Sequence, residues 1–301
     1  MKFISYIYQG KPDYGILNQN SQIVPLATIL SSLNYDVPPD LLAFIIEYGR
    51  TINLEINSVL YHFADQEISL TEVKLLSPIR YPRRNVFCVG KNYQDHALEV
   101  TEFTNEGSIQ LPTYPIYFSK ACDVLLGDQE IIEIRQPSAR KLDYEVELAV
   151  IIAKDGKDID LNATEQYIFG YAVSNDISAR DLQTARGQWF KGKSLDNSLA
   201  LGPYLVSAEE IAFPPQLNIS AKVNGELRQK SNTANFIFDL ATLISDLSQG
   251  MTLRAGDIIM TGTPAGVGVA MKPPQYLKSG DLIEFEIENI GKLTNSVKIV
   301  D

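Results

Sequence analysis

The 301-residue sequence has few of the residues from which covalent frameworks and zinc sites are built. It contains two cysteines, Cys88 and Cys122, and two histidines. Two cysteines supply neither a disulfide framework nor the ligand spacing of a structural zinc site. We therefore expect both thiols to be reduced, in a protein of the cytoplasm.

Long apolar runs and an excess of basic charge are also missing. No run approaches the roughly 18 to 20 apolar residues that a membrane span requires, and the N-terminal MKFISYIYQG resembles a strand more than a signal peptide. Lysine and arginine total 26 against 37 acidic residues, for a net charge of -11. That balance argues against nucleic acid, because phosphate binding requires a basic surface. We expect no membrane or nucleic-acid partner, and an anionic substrate would need a local cation.

The order of the predicted elements divides the chain into two units. Short strand and helix patterns alternate over residues 1–75, which predicts a small α+β N-terminal domain. The prolines of LLSPIRYP indicate a link to a second domain over residues 80–301. Short strands dominate there, and one amphipathic helix begins at Leu240 with Asp239 as its cap. The predicted fold class is α+β, mostly β.

The segment KLDYEVELAVIIAK places Asp143, Glu145 and Glu147 two residues apart. In a single strand these acids share one face, about 7 Å apart, and repel each other by roughly 2 kcal/mol per ionised pair at a dielectric near 20. Either the strand is a solvated edge that screens the charges, or a cation compensates them. The apolar run from Leu148 to Ile152 favours a buried strand and therefore the cation.

A further acid, Asp176, ends the next predicted strand, YIFGYAVSND. Glu145, Glu147 and Asp176 together suit Mg²⁺ or Mn²⁺, since these hard cations prefer oxygen ligands. No histidine or cysteine lies close in sequence, which disfavours zinc. Arg180 follows one helical turn later, where it either pairs with Asp176 at i, i+4 or binds substrate.

The segment CVGKNYQDHALEV places His96 and Glu99 at i, i+3 after a predicted strand. A carboxylate beside an imidazole fixes its tautomer and raises its basicity, as a general base acting on water requires. The alternative is a pair on the surface. In WFKGKSLD, Lys191 and Lys193 either stabilise a developing negative charge or are solvated.

The last candidate is the glycine-rich loop of DIIMTGTPAGVG. Thr261, Thr263 and the backbone N–H groups could hold an anionic group, or the glycines could serve a tight turn alone. The loop matches neither of the common nucleotide-binding glycine motifs, so nucleotide binding is not predicted.

The order of these segments resembles the fumarylacetoacetate hydrolase superfamily, particularly its bacterial two-domain members, over residues 85 to about 300. The segments are GKNYQDHALE, LDYEVELAVIIAK, GYAVSNDISARDLQ, FKGKSLD with LGP, VNGELRQ and GDIIMTGTPAGVG. The resemblance implies a mixed β-sandwich roll that forms a homodimer. It also implies site roles: Glu145, Glu147 and Asp176 as metal ligands; His96, Glu99 and Lys193 as catalytic groups; Arg180, Gln183 and Thr263 as substrate-binding groups.

The chain departs from the family pattern near the expected pocket. Ala121, Cys122 and Asp123 stand where members often have Pro-Ser-Ser, and Ala200 stands where many have proline. These departures bear on substrate identity more than on the metal site. The polar stretch VTEFTNEGSIQLP, residues 100–112, is expected to order over bound ligand as a lid.

The resemblance implies an enzyme that uses Mg²⁺ or Mn²⁺ and acts on 2-oxo or 2,4-dioxo acids. The leading expectation is a C–C bond hydrolase or decarboxylase of the acylpyruvate or oxaloacetate type, working through an enolate on the metal. One alternative is an isomerase or tautomerase of 2-hydroxy-dienedioates, of the 5-carboxymethyl-2-hydroxymuconate type. A second is a catalytically silent metal-binding protein that contacts other proteins.

Overall fold

The computed structural model describes residues 1–104, 111–136, 140–185 and 187–301, with side chains in the 94–104 helix described as far as Glu99. Much of the expected lid, residues 100–112, therefore lies outside the described residues. The strands are β1 Lys2–Tyr8, β2 Lys11–Leu17, β3 Gln22–Pro25, β4 Ile68–Ser69, β5 Lys74–Leu76, β6 Val86–Gly90, β7 Ile116–Lys120, β8 Ile131–Arg135, β9 Leu142–Asp143, β10 Val146–Ile152, β11 Ile168–Asp176, β12 Ser178–Ala179, β13 Leu199–Ser207, β14 Asn218–Val223, β15 Glu226–Asn232, β16 Ile258–Met260, β17 Leu282–Ile287 and β18 Gly291–Val300.

The helices are shorter and lie mostly between strands. The α-helices are α1 Leu26–Ser32, α2 Leu41–Tyr48, α3 Asn53–Val59, α4 Gln94–Thr104, α5 Arg180–Thr184, α6 Phe190–Lys193 and α7 Leu240–Ser248. The 3-10 turns are Leu60–Gln66, Leu70–Glu72, Leu161–Tyr167, Ala208–Glu210, Thr233–Asn235 and Gly268–Ala270. Among the described residues, the helices are all too short or too polar to cross a membrane.

A large sheet runs through the molecule in the order β4-β3-β2-β1-β13-β11-β10-β16-β6-β7, with β5 also paired to β1. Its central strands β10 and β11 are buried along their whole length. Their sequences, VELAVII and IFGYAVSND, are nearly continuous apolar runs, as expected of strands covered on both faces. This burial places any polar side chain at their ends inside the protein.

Strands from the first 75 residues continue this large sheet. β1 pairs with β13 through Lys2↔Val206 and Phe3↔Leu205, and with β2 on its other side. The N-terminal part of the chain thus shares backbone hydrogen bonds with the rest. A domain division between residues 75 and 80 stays a prediction.

A second sheet covers one face of the first, in the order β15-β14-β17-β18-β8. In β14 and β17 apolar residues alternate with exposed ones, and the apolar side faces a core shared with β10. Val150 of the large sheet and Phe285 of the second belong to that core. This arrangement of mixed sheets with a few helices confirms the predicted α+β, mostly β fold class.

Candidate metal centre and active site

Three carboxylates converge at one end of β10 and β11. Glu145, Glu147 and Asp176 are buried, and one ligand-type oxygen from each lies within 4.8 Å of the other two. The antiparallel register brings them together, because Glu147 pairs with Ser174 and the Asp176 N–H donates to the Glu145 carbonyl at 3.0 Å. The predicted ligands therefore form one cluster.

The third acid of the KLDYEVELAVIIAK segment does not join this cluster. β9 ends at Asp143 and β10 begins at Val146, so the prediction of one strand with three acids on a face is wrong for Asp143. Its carboxylate instead accepts the N–H groups of Gly268 and Val269 at 2.8 and 3.0 Å. The strand is interrupted where backbone N–H groups donate to side chains instead of to a neighbouring strand. The Glu145 N–H, for example, donates to Asn175 Oδ1 at 3.2 Å.

Two buried lysines contact the cluster. Lys193 Nζ donates to Glu145 Oε2 and to Asp176 Oδ2, each at 2.8 Å. Burial lowers the pKa of Lys193, but Asp176 and Glu145 outweigh burial and raise it above its usual value. Lys193 is therefore an ammonium donor and not a base. Lys120 Nζ donates to the other oxygen of Asp176 at 2.6 Å.

Glu147 differs from the other two carboxylates because it forms no ion pair in the described structure. Within the described residues no lysine or arginine nitrogen lies at ion-pair distance from it, and its recorded hydrogen bond is from the Gly262 N–H at 2.7 Å. Burial, then Asp176 and Glu145, raise the pKa of Glu147 well above its usual value. A buried carboxylate with two acidic neighbours is costly unless a cation compensates it. An all-oxygen set of three carboxylates fits Mg²⁺ or Mn²⁺.

Arg180 bridges the metal cluster and its supporting acid. Its Nε donates to Asp143 Oδ2 at 2.8 Å, and its Nη2 lies 2.8 Å from Glu145 Oε1. The ion pairs of Arg180 in the described structure are thus with these two acids, and the alternative of an i, i+4 pair with Asp176 does not hold. Burial raises the pKa of Glu145, but Lys193, Arg180 and His96 outweigh it and hold that pKa at about 2. Arg180 also donates to Gln183 Oε1 at 3.0 Å.

His96 and Glu99 lie together on α4, as their spacing predicts. His96 Nδ1 is 3.3 Å from Glu99 Oε2, and the Gly266 N–H donates to Glu99 Oε1 at 3.0 Å. His96 is buried, with 6% of its surface exposed, so the alternative of a surface pair does not hold. His96 is one of the groups that lower the pKa of Glu145, so the imidazole is close enough to the metal cluster to act on it electrostatically.

The remaining candidates separate into buried and exposed groups. Thr263 is buried and its Oγ1 accepts a hydrogen bond from Gln229 Nε2 at 2.8 Å. The Thr261 hydroxyl donates to the Leu148 carbonyl, which is a structural contact. Lys191 is exposed, and its side chain has no recorded contact with the cluster in the described structure.

Sequence reasoning missed three residues that support the site. Lys120 ends the mostly apolar strand β7 and is itself fully buried, and a buried lysine signals an acidic partner. Asn175 was visible as the neighbour of Asp176, but nothing local indicated that it would accept the Glu145 N–H. Gln229 lies in VNGELRQ, a segment that contributes to the family resemblance but to none of the predicted site roles.

Comparison with known sequences decides the family. A family model described as fumarylacetoacetate (FAA) hydrolase C-terminal matches residues 85–298. The chain belongs to this family. The match contains both strands that carry the acidic cluster and the helix that carries His96, so the geometry described above is that of a family member.

Relatives of known name cover most or all of the chain. The oxaloacetate tautomerase YisK of Bacillus subtilis (strain 168) is 43% identical over 253 residues, 84% of this chain and 80% of the relative. A fumarylacetoacetate hydrolase from Exiguobacterium antarcticum superposes with a TM-score of 0.82 at 36% identity, over 99% of both chains. Maleylpyruvate hydrolase from Sphingobium sp. SYK-6, in complex with manganese(II) and pyruvate, gives 0.77 at 25% identity over 100% of both.

Proposed function

We propose that the protein is a divalent-metal-dependent tautomerase that interconverts the enol and keto forms of short 2-oxo acids of the oxaloacetate type. The observation that carries the proposal is the buried cluster of Glu145, Glu147 and Asp176, in which Glu147 forms no ion pair with any residue that the structure describes. The similarity to an oxaloacetate tautomerase supports the reaction class, and the manganese and pyruvate of the maleylpyruvate hydrolase support the ligand class.

The three carboxylates would hold the ion, with Lys193 and Arg180 fixing Glu145 and Lys120 fixing Asp176. When bound, a divalent cation supplies positive charge for the carboxylate and 2-oxo oxygens of the substrate and stabilises negative charge there. An ammonium group has three N–H donors. Two of those of Lys193 are used by Glu145 and Asp176, and Nζ lies 5.2 Å from the centroid of the Phe118 ring; the third donor is the one that would bind the 2-oxygen.

Proton transfer falls to His96. Its Nδ1 faces Glu99, so a proton on Nδ1 is held by that carboxylate and Nε2 keeps its lone pair. The Gly266 N–H fixes Glu99 in turn. In the keto-to-enol direction His96 Nε2 would take a proton from the carbon beside the 2-oxo group, the electron pair of that C–H bond would form the C=C bond, and the 2-oxygen would take up a proton. The enol-to-keto direction reverses both transfers.

A second candidate is the hydrolase or decarboxylase expected from the sequence. The specific observation in its favour is the same His96 and Glu99 pair, because a base with a free Nε2 also suits deprotonation of water. Similarity to the maleylpyruvate hydrolase supports it. In that case a C–C bond would break instead of the C–H bond, after water attack on a distal carbonyl or with loss of CO₂, and the carbon left with the electron pair would take up a proton.

The experiment supplies enol-enriched oxaloacetate to metal-stripped protein with Mg²⁺, with Mn²⁺ or with chelator. The ultraviolet absorption of the enol reports tautomerisation, and released pyruvate reports decarboxylation; acylpyruvates are tested in parallel for cleavage. We expect metal-dependent enol loss that is faster than pyruvate release. Pyruvate release or acylpyruvate cleavage at the faster rate would favour the second candidate, and no turnover would contradict both. The expected homodimer is part of the same proposal and is tested by light scattering.

A further inference from the structure

Gln229 connects the second sheet to the metal cluster. It lies on β15, is fully buried, and makes contacts with β10 of the large sheet and with the loop after β16. Its Oε1 accepts the N–H of Val146 at 3.0 Å. Val146 stands between Glu145 and Glu147, so this bond fixes the backbone from which two of the three carboxylates extend.

The other end of the same amide contacts the glycine-rich loop. Gln229 Nε2 donates to the Pro264 carbonyl at 2.7 Å and to Thr263 Oγ1 at 2.8 Å. The orientation of the amide is determined by groups of fixed polarity, because the Val146 N–H can only donate and the Pro264 carbonyl can only accept. The Thr263 hydroxyl is therefore the acceptor in its bond with Gln229.

This polarity leaves the proton of Thr263 available. A hydroxyl has one O–H donor, and among the described residues no acceptor is recorded for that of Thr263. Thr263 directly follows Gly262, whose N–H donates to Glu147, so the loop that carries the hydroxyl contacts the metal cluster. A donor without a protein acceptor at this place suits a carboxylate oxygen of the substrate.

The geometry points to Gln229 as a positioning residue that serves both halves of the site. Through its carbonyl oxygen it holds the backbone between the two glutamate ligands, and through its amide nitrogen it sets Thr263 as a hydrogen-bond donor to a carboxylate ligand. This inference rests on the proposed binding of a 2-oxo acid at the metal. It does not depend on which reaction follows.

The test uses Mn²⁺ and oxalate, which binds without being turned over. Calorimetry gives the affinity of metal-stripped protein for Mn²⁺ and of Mn²⁺-loaded protein for oxalate. We expect Gln229→Met, which keeps the volume and removes the three hydrogen bonds, to weaken both affinities about tenfold, and Thr263→Val to weaken only oxalate binding by a similar factor. In the double variant the losses in oxalate affinity should not add, because Gln229 acts through Thr263.

Two further variants keep the result interpretable. Gln229→Glu can still accept from Val146 but offers an oxygen to Thr263, so we expect Mn²⁺ affinity near that of the wild type and weakened oxalate binding. If Gln229→Met fails to fold, Gln229→Glu still tests the role of Thr263. Gln249→Met, at an exposed glutamine beyond α7, should change neither affinity.

Wild-type affinities in Gln229→Met, or additive losses in the double variant, would overturn the inference. Oxalate binding retained by Gln229→Glu would overturn the part that concerns Thr263. If the wild type binds Mn²⁺ and oxalate but converts no 2-oxo acid, the proposed function fails while the role of Gln229 stands.

Discussion

Neutralising either glutamate of the cluster should abolish metal binding, yet the two changes should act differently on the metal-free protein. Glu145 has Lys193 and Arg180 nitrogens at 2.8 Å, whereas Glu147 has no cation at ion-pair distance in the described structure. Lys193 lowers the pKa of Glu147, but burial and the two neighbouring carboxylates outweigh it. Breaking a buried ion pair leaves uncompensated charge and costs about 3 to 5 kcal/mol. Glu145→Gln should therefore destabilise the metal-free protein by about 3 kcal/mol.

For Glu147→Gln the sign reverses. Unit charges 4.8 Å apart repel by about 3.5 kcal/mol at an effective dielectric near 20, and each carboxylate of the cluster lies within that distance of the others. If Glu147 is ionised in the metal-free protein, the glutamine removes this repulsion. If Glu147 is protonated there, the glutamine removes the free-energy cost of protonating it at neutral pH. We expect the unfolding free energy of the metal-free protein to stay unchanged or to rise by up to about 3 kcal/mol.

The assay is urea unfolding with chelator and with Mn²⁺. Saturating metal at a hundred times its dissociation constant should stabilise the wild type by about 2.7 kcal/mol and should stabilise neither variant. Glu286→Gln, at an exposed position on β17, is the control that should behave as wild type. If Glu147→Gln destabilises the metal-free protein as much as Glu145→Gln does, then the negative charge of Glu147 is balanced by a cation without metal. That result would contradict the predicted difference between the two glutamates.

Three further predictions follow from separate contacts. His96→Asn should lower turnover by about 10²- to 10⁴-fold and leave Mn²⁺ affinity unchanged in calorimetry; equal loss of both would indicate a structural role. Gly90→Ala should lower the free energy of unfolding, measured with urea, by about 1 to 3 kcal/mol, because the added Cβ would lie 2.5 Å from Trp189 Cζ3. An unchanged unfolding midpoint would refute that close contact. Burial raises the pKa of Glu130, but the Gly127 N–H and Arg80 outweigh burial, so the pKa is lower in the folded protein than in the unfolded chain. The ionised Glu130 therefore stabilises the fold above the unfolded pKa, and this stabilisation is lost as pH falls through the folded pKa. Glu130→Gln should therefore lower stability at neutral pH and flatten the acid limb of a stability profile below about pH 4.5, and two parallel profiles would contradict this.

The elements that could be predicted from the sequence are those whose signals are local. The Asn224-Gly225 turn between β14 and β15 has positive φ at both residues, as an Asn-Gly pair predicts. Helix α7 begins at Leu240, and the Asp239 carboxylate accepts the Thr242 N–H at 2.8 Å, as the capping pattern predicts. In both cases neighbouring residues alone determine the conformation.

The interruption of the acidic strand could not be predicted, because distant side chains cause it. The backbone around Glu145 is held by Asn175 and Gln229, 30 and 83 residues away from the N–H groups they accept. The alternation of side chains along a strand predicts all three acids on one face. That prediction is right for Glu145 and Glu147 and wrong for Asp143, because the strand is interrupted between Asp143 and Val146. Lys120 lies beside Asp176, 56 residues further along the chain, because of the way the fold arranges their two strands. Local sequence does not determine that arrangement.

The central claim is that the carboxylates of Glu145, Glu147 and Asp176 hold one divalent ion. Anomalous diffraction from crystals grown with Mn²⁺ tests it most directly. The account predicts a single strong manganese peak within coordination distance of an oxygen from each of the three residues. A peak elsewhere, or Lys193 filling the space between the carboxylates with no peak at all, would contradict it.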